Sequence, residues 1–527
     1  MGKYLLKRVI HGLLSVIIVV AIVMILVYTA IDKENIFRQD PLIQKKNSNE
    51  KIVYKYQCWE DYGYLDYVPY ADWLTEIARA GEIDEPTRAA AVSFGRTAEK
   101  DSAIVTEYIA KFTEVYEAKG YTIVRLNADT QSATSTTLKK GGQQRLFAYK
   151  NTPLPVRIWN YFKGVISVDN IHYAKGDVGQ RKLTFTMNDP AYGGDKFSPA
   201  IIGNGTKYKY LLYFDNKFPF IHQNLITINL GLSYSINKGV DVWTTMVQPQ
   251  GSNVMEETLY PTGFVESSSN DLHTARYAEG SLKTGGGFAQ TRFTDDYTVV
   301  GTTKSGMSKM GYSFVIGVIS VIISYLVGIP LGIVMSRNQN KLFDKIGTIY
   351  IVFIIAVPSL AYIFMFRAIG MQFGWPTTFS TDPAAGYKVY LLPIISLALP
   401  SIGGLMKWTR RYMIDQKNSD YVKFARSGGL SEGEIFRGHI LKNAMIYIVH
   451  GIPGSILGAL VGAIITERVY TVPGTGGMLI NAINAYDNAA IVGLAMFYAL
   501  LSVASLILGD ILMSMVDPRI SFSSKGR

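Results

Sequence analysis

Long apolar runs interrupt an otherwise mixed chain, and their lengths decide what they can be. Residues 9–31 hold His11 as their only strongly polar side chain, and further runs occupy 310–336, 346–366, 390–406, 444–466 and 488–515. A helix rises about 1.5 Å per residue, so about 20 apolar residues cross a hydrocarbon core about 30 Å thick. The pattern predicts six membrane spans, the third broken by Pro358. The first run is longer than the roughly 7–15 residues of a secretory signal core, so 1–31 is expected to be an uncleaved span with a short N-terminal tip.

Between the first two runs, residues 32–305 read like a water-exposed α+β domain. Asp84 and Pro86 suit one helix start. Asp101 suits a second, with Ile104, Val105, Tyr108, Ile109, Phe112, Val115 and Tyr116 on one face and Gly120 closing it. Residues 121–126, 182–186, 208–214 and 225–230 read as strands, 129–144 as a loop and 267–287 as a mobile surface stretch. Tyrosines crowd the domain, which fits strand surfaces and also contact with peptide or protein. The fold class is an α-helical membrane protein with a large α+β domain inserted between helices 1 and 2.

Charge orients this architecture. The chain has 527 residues, 48% hydrophobic and 18% charged, and a net charge of +11. Residues 32–305 hold 31 basic and 31 acidic side chains, so the excess lies entirely in the 21 basic and 10 acidic residues elsewhere. Of those 21, 17 fall in 1–8, 337–345, 407–443 and 517–527; the short loops on the other side hold Arg367, Lys388 and Arg468. Cytoplasmic loops collect Lys and Arg, which places both termini inside and 32–305 outside. The resulting domains are 1–31, an extracellular 32–305, a membrane core 306–516 with a cytoplasmic loop at 407–443, and a cytoplasmic tail 517–527.

Several chemistries are excluded. The single Cys58 rules out an intrachain disulfide and a C-x-x-C site, and the six histidines show no metal spacing. No G-x-x-x-x-G-K-[ST] occurs, so the chain does not carry its own P-loop; if transport is ATP-driven, ATP must be hydrolysed by another polypeptide. No basic patch on a soluble domain suggests nucleic acid. No catalytic constellation is visible. Within the spans, His450 could face a polar path or bond a neighbouring helix, and Asp510 could reach interfacial water near the inner end. Ser324, Gly328 and Gly332 recur every four residues, as do Gly454, Gly458 and Gly462. Each set lines one helix face where backbones can approach, within this chain or against another.

The most ordered polar stretch is 420–444, DYVKFARSGGLSEGEIFRGHILKNA. Asp420 can cap a short helix carrying Tyr421, Val422, Phe424 and Ala425, which Gly428-Gly429 stops through a left-handed conformation. Ser431 and Glu434 form a capping-box pattern that starts a second helix towards Asn443. A helix, a glycine turn and a helix make a rigid elbow between two spans, suited to transmitting force.

This stretch resembles the EAA loop of the inner-membrane permease subunits of ABC importers. With Gly429 on the family glycine, Lys423, Phe424 and Ala425 fall on E-A-A, and His439 to Lys442 on I-x-L-P. Only Ala425, Gly429 and Leu441 keep that general pattern. The form D-Y-V-x-x-A-R-x-x-G-L-S, through Leu430 and Ser431, followed by H-x-L-K-N-A, is similar to the oligopeptide and dipeptide permease branch. After Glu467 and Arg468, the segment TVPGTGG is similar to that family's V-F-x-x-P-G-x-G, and its Pro473, Gly474 and Gly476 suit a shaped loop at the outer mouth. Leu230 to Ser233 resembles the L-G-x-S before the second span of shorter relatives. The long insert is similar to the Ami-type oligopeptide permeases of Gram-positive bacteria.

The resemblance implies an ATP-driven oligopeptide importer in which this chain supplies half the pathway. The implied partners are a second, homologous permease subunit, two cytosolic ABC ATPases that the elbow engages, an extracellular peptide-binding lipoprotein, the oligopeptide and the lipid bilayer. A dipeptide or nickel permease remains open on the elbow alone. A sensor with a ligand-detecting outer domain is the reading of a different class, disfavoured because two spans would serve it and no output domain is visible.

Overall fold

The computed structural model describes residues 2–516 except 39, 47, 96, 128–145, 176–177, 215–220, 279–290 and 296. The loop expected at 129–144, the end of the 267–287 stretch and the tail 517–527 lie outside the described residues. Helix α1 (Gly2–Ala30) is a single apolar rod. After it come α2 (Ser48–Asp61), α3 (Tyr70–Arg79), α4 (Glu85–Ala91) and α5 (Ala103–Ala118). They pack on an antiparallel sheet of β1 (Leu65–Pro69), β2 (Thr122–Arg125) and β3 (Leu146–Asn151) with β3 in the middle. Asp84 caps α4 as expected, with Oδ1 accepting from the Thr87 amide at 3.0 Å. Asp101 does not cap α5. Ser102 does, while Asp101 takes Arg125 at 2.7 Å and the Gly95 amide, a tertiary demand that outweighs its capping propensity. The anticipated face of α5 is buried at Val105, Tyr108, Phe112 and Tyr116, and Val115 is exposed. Gly120 follows with φ +78°.

The crowded tyrosines are largely core rather than strand surface. Tyr70 and Tyr260 are buried, and the Tyr56 ring lies 4.8 Å from those of both Phe147 and Tyr149. Aromatic side chains bury large areas, which suits a domain of many short strands. Beyond α6 (Leu154–Gly164), β4 (Ile166–Val168) pairs with β9 (Ile226–Ile228). Strands β5 (Lys182–Thr186), β6 (Ala200–Asn204), β7 (Tyr210–Phe214) and β8 (Ile221–Gln223) form a four-stranded antiparallel sheet in that order. The start of the 267–287 stretch is strand, not loose surface: Val265–Ser268 and Asn270–Tyr277 are both paired. Helix α7 (Val242–Val247) leads towards the remaining spans.

Helix α8 (Lys309–Arg337) follows, then α9 (Leu342–Ala356) and α10 (Ser359–Gln372). The third expected span is not one rod, because α9 and α10 meet at 109°. Pro358 has no amide to donate and forces Val357 out of helical geometry, to φ −82° and ψ 129°. Helix α11 (Lys388–Lys417) continues well past the anticipated end at 406, so the expected loop 407–443 begins as helix. Then come α12 (Asp420–Ser427), α13 (Glu432–Ile435), a π-helical turn at Phe436–Leu441 and α14 (Lys442–His450). Helices α15 (Ile452–Tyr470), α16 (Thr475–Asn484) and α17 (Asn488–Val516) complete the order. Among the described residues, five helices are long and apolar enough to cross a bilayer, or six if the bent pair is one crossing.

The two small-residue faces differ. An added Cβ at Gly328 would lie 2.8 Å from the Leu405 Cβ, and at Gly332 2.7 Å from the Thr409 Cβ, so this face of α8 packs on α11. The Ser324 hydroxyl donates to the Ser320 carbonyl and reaches that of Ala398. Gly454 and Gly458 are exposed, with no atom closer than 4.0 Å to an added Cβ. Gly462 is helical, but its packing lies outside the description.

The β-rich insert is fastened to the spans. Val165, Leu230, Val242 and Met246 share one core with Val16, Val20 and Met24 of α1 and with Ala490, Val492 and Leu494 of α17. At its rim the buried Asp487 accepts from the Ser233 hydroxyl at 2.7 Å, the Tyr234 and Ser235 amides, and the Ala490 amide. The Leu230–Ser233 motif noted in the sequence therefore docks on the turn before α17.

Candidate functional site

The elbow is built by local rules. Helix α12 ends in two hydrogen bonds, Gly429 N–H to the Arg426 carbonyl at 3.2 Å and Leu430 N–H to the Ala425 carbonyl at 3.3 Å. This is a Schellman ending, which requires a left-handed residue after the cap. Gly429 supplies it with φ +85°, whereas Gly428 is the cap itself with φ −77°. Only the second glycine is left-handed, contrary to the expectation for the pair. The capping box forms: the Glu434 amide donates to the Ser431 hydroxyl oxygen and the Glu434 carboxylate accepts from the Ser431 amide at 2.9 Å. Asp420 does not cap. Ser419 holds that position and Asp420, one residue inside, pairs with Lys423 at 2.8 Å. Arg426 reaches across the turn to Glu432 at 2.6 Å. These pairs hold the Asp420 and Glu432 carboxyls below their usual range, and hydrogen bonds from Ser431 do the same for Glu434.

One face of the elbow is locked. Val422 is fully buried with Met413 of α11, Ile435 of α13, Ile440 of the π turn and Ala444 of α14, with Ala425 packed beside them. Fully burying a side chain such as Val422 is worth roughly 1.5–3 kcal/mol. The Arg337 guanidinium, at the end of α8, sits 3.8 Å over the Phe436 ring. Arg410 grips Asp344 of α9 through two hydrogen bonds of 2.6 and 2.7 Å. The opposite face is open: Phe424 is 78% exposed and Leu430 40%. His439 lies in the π turn with its ring 6.2 Å from that of Tyr421, and Asn443 is half-buried in α14. The elbow's seat thus touches α8 through Phe436, α11 through Met413 and α14 through Ala444, and Arg410 ties α11 to α9. The sequence reading missed Arg337, Arg410, Met413 and Phe436; the apolar spacing of Val422, Ile435 and Ile440 within a charged stretch was the available signal for the seat.

At the opposite end, Glu467 is buried and accepts from the Ser313 hydroxyl at 2.6 Å and the Gly477 amide at 3.0 Å. Thr471 turns the chain with φ 56°, and Gly474 precedes α16, where an added Cβ would lie 2.2 Å from the Glu467 carboxyl carbon. Pro473 and Gly474 belong to a shaped loop, as expected. Gly476 does not: it lies inside α16, where its lack of a side chain admits Ile464 of α15. Asp510 turns inward rather than to interfacial water, accepting from Arg8 at 2.9 Å and Tyr4 at 3.1 Å. His450 packs on Gly509, and its buried Nδ1 has no hydrogen-bond partner. Among the described residues no group of three His, Cys, Asp or Glu side chains could hold a metal ion.

A family model described as the binding-protein-dependent transport system inner membrane component matches residues 328–522. The chain is 32% identical, over 100% of both proteins, to the oligopeptide transport system permease protein AmiC of Streptococcus pneumoniae. It is 27% identical, over 55% of this chain and 93% of the relative, to the oligopeptide transport system permease protein AppB of Bacillus subtilis. To the dipeptide transport system permease protein DppB of Lactococcus lactis it is 28% identical, over 40% of this chain and 69% of the relative. The elbow and the segment from Glu467 to Gly476 fall within the matched model, and the likeness to AmiC runs through the insert as well.

Proposed function

The chain belongs to the binding-protein-dependent transport system inner membrane components, multi-pass proteins of the bacterial membrane, and from that membership we propose that it forms half of an ATP-driven pathway for oligopeptides. The full-length likeness to AmiC favours oligopeptides over the dipeptides named for DppB, whose likeness covers less of the chain. On this reading residues 32–305 lie outside the cell, 306–516 form the permease core and 517–527 a cytoplasmic tail. A second permease subunit completes the pathway, with the open Gly454–Gly458 face of α15 available to it. Two cytosolic ATPases bind ATP and Mg, and a lipoprotein delivers peptide to the outer mouth, as in Gram-positive cells. The positive charge of the cytoplasmic segments supports this orientation.

The observation that carries the proposal is the elbow: α12 is seated on the span ends by Val422 and offers Phe424 outward. Closure of the ATPases would push on that face, tilt α8, α11 and α14 together and move the pathway between its two openings. The mutational test compares Gly428→Ala, Gly429→Ala and Gly429→Asp. A Cβ at Gly428 meets only ordinary contacts of 3.4 and 3.5 Å, so alanine there should leave uptake intact. At Gly429 space is open but the left-handed backbone penalises a Cβ by roughly 1–2 kcal/mol, so alanine should weaken ATPase retention. Gly429→Asp adds a charge at the turn and should abolish uptake while the subunit stays in the membrane. Wild-type uptake by Gly429→Asp would refute the coupling role.

A further inference from the structure

The insert has a face that water does not suit. Helix α6 turns Ile158, Tyr161 and Phe162 onto the core shared by α1 and α17. On its other side Val156 and Trp159 are exposed, Trp159 to 69%, with Lys163 one turn beyond. The exposed apolar strip continues through Ile166 and Val168 of β4 and Ile226 of β9. Helix α6 packs on α1, a helix long and apolar enough to cross a bilayer, whose Ile18, Ile22 and Leu26 are exposed.

Depth along the spans identifies what covers it. The Tyr161 hydroxyl lies 3.5 Å from the Met496 sulfur of α17. A charge is costly deep in lipid, so the partly exposed Arg8, held by Asp510, sets the inner boundary 14 residues further along, about 21 Å at 1.5 Å per residue. With a hydrocarbon core about 30 Å thick, Met496 sits about 9 Å inside the far boundary. An amphipathic helix lying on a membrane buries its apolar face about 5–10 Å, and Trp with an adjacent Lys suits the headgroup level.

The geometry points to α6 and the β4–β9 ribbon as an interfacial anchor: this part of the insert lies in the lipid at the outer ends of α1 and α17, with Val156, Trp159, Ile166, Val168 and Ile226 against acyl chains. Arg157 braces the anchor from inside, stacked 4.0 Å over Tyr28 of α1 and 3.8 Å over Tyr64 of the insert. The insert is thereby held against the bilayer rather than standing free on two tethers. The inference rests on the outward placement of residues 32–305 only for which leaflet is meant.

The test uses the full-length chain, co-produced with its partner subunits and placed in lipid nanodiscs. Cys58 is the single cysteine of this chain, so Cys58→Ala, with any cysteines of the partner subunits also replaced, gives a clean background for nitroxide labels at Trp159→Cys and, separately, Val156→Cys. A label at the exposed Glu114→Cys of α5 serves as the water-facing control. At 159 and 156, oxygen collisions should exceed those of a water-soluble nickel chelate, with the reverse order at 114. A chelate-dominated signal at both anchor positions would mean water, and protection from both reagents would mean a protein partner; either overturns the inference. Labelling of Glu114→Cys by an impermeant thiol reagent on intact cells tests the outward placement separately. If 114 reacts only after lysis while 159 stays oxygen-dominated, the anchor stands and the orientation fails.

Discussion

Asp487 shows how much one buried carboxylate organises. Its Oδ2 takes two hydroxyls and two amides from residues 233–235, while Oδ1 takes the Ala490 amide. In Asp487→Asn one oxygen becomes an NH2 that faces a donor, and a buried group left unsatisfied costs roughly 1–3 kcal/mol. Protease cleavage within 230–240 should therefore increase in Asp487→Asn and not in Asp415→Asn, whose exposed pair with Arg411 spans 3.9 Å. Equal cleavage in both variants would mean that the turn before α17 does not hold the insert. Nothing in the one-dimensional pattern distinguishes Asp487 from other loop aspartates, because all its partners but the Ala490 amide lie more than 250 residues away in sequence. The left-handed glycine was legible, since a helix followed by a capping-box signal needs one. Which of two adjacent glycines adopts it was not, because that depends on where the last helical hydrogen bond falls. Asp101 misled because a carboxylate with Arg in reach leaves the cap to a neighbouring serine, and Asp420 because it stands one residue inside its helix, where it pairs with Lys423.

Among elements, those governed by local chemistry were readable. The capping box at Ser431, the proline start of α4 and the glycine after α5 stand where the residues put them. The failures lie where the end of an apolar run is not the end of a helix, or where glycines mask one. Helix α11 keeps going because its charged turns still pack, through Met413 and the Arg410–Asp344 pair, and α16 was hidden in a glycine-rich segment. Within the insert, the 3₁₀ turn at Lys33–Phe37 and α2 are tied to the strand-end segment after Ser233 by Asp40. This carboxylate takes Tyr54 at 2.6 Å and Lys238 at 2.5 Å. Burial alone would raise its pKa, but the hydrogen bonds from Lys238, Tyr54 and the Leu42 amide outweigh it and hold Asp40 below its ordinary 3.8. A depressed folded pKa gives stability that is present above the unfolded value and lost as pH falls through the folded one. The gap in thermal stability between wild type and Asp40→Asn should accordingly be full at neutral pH and close below about pH 4. A gap that persists unchanged in acid would show that the ion pair is not its source.

For the whole molecule, the apolar runs conveyed the architecture: a membrane core with a large insert after the first span. The insert's own fold was largely illegible, since its strands are short and its core is built from tyrosines that a sequence pattern assigns to surfaces. Its attachment was equally hidden, being made by residues far apart in the chain. On the function proposed above, the elbow, locked on one face and open on the other, is where force from an ATP-hydrolysing partner enters. The most direct measurement places a photo-crosslinking side chain at position 424, the exposed aromatic of α12, in the full importer. After irradiation, the account predicts an adduct with a polypeptide carrying a G-x-x-x-x-G-K-[ST] sequence, lost when Gly429→Asp is combined with it. Adducts confined to lipid or to this chain itself would contradict it.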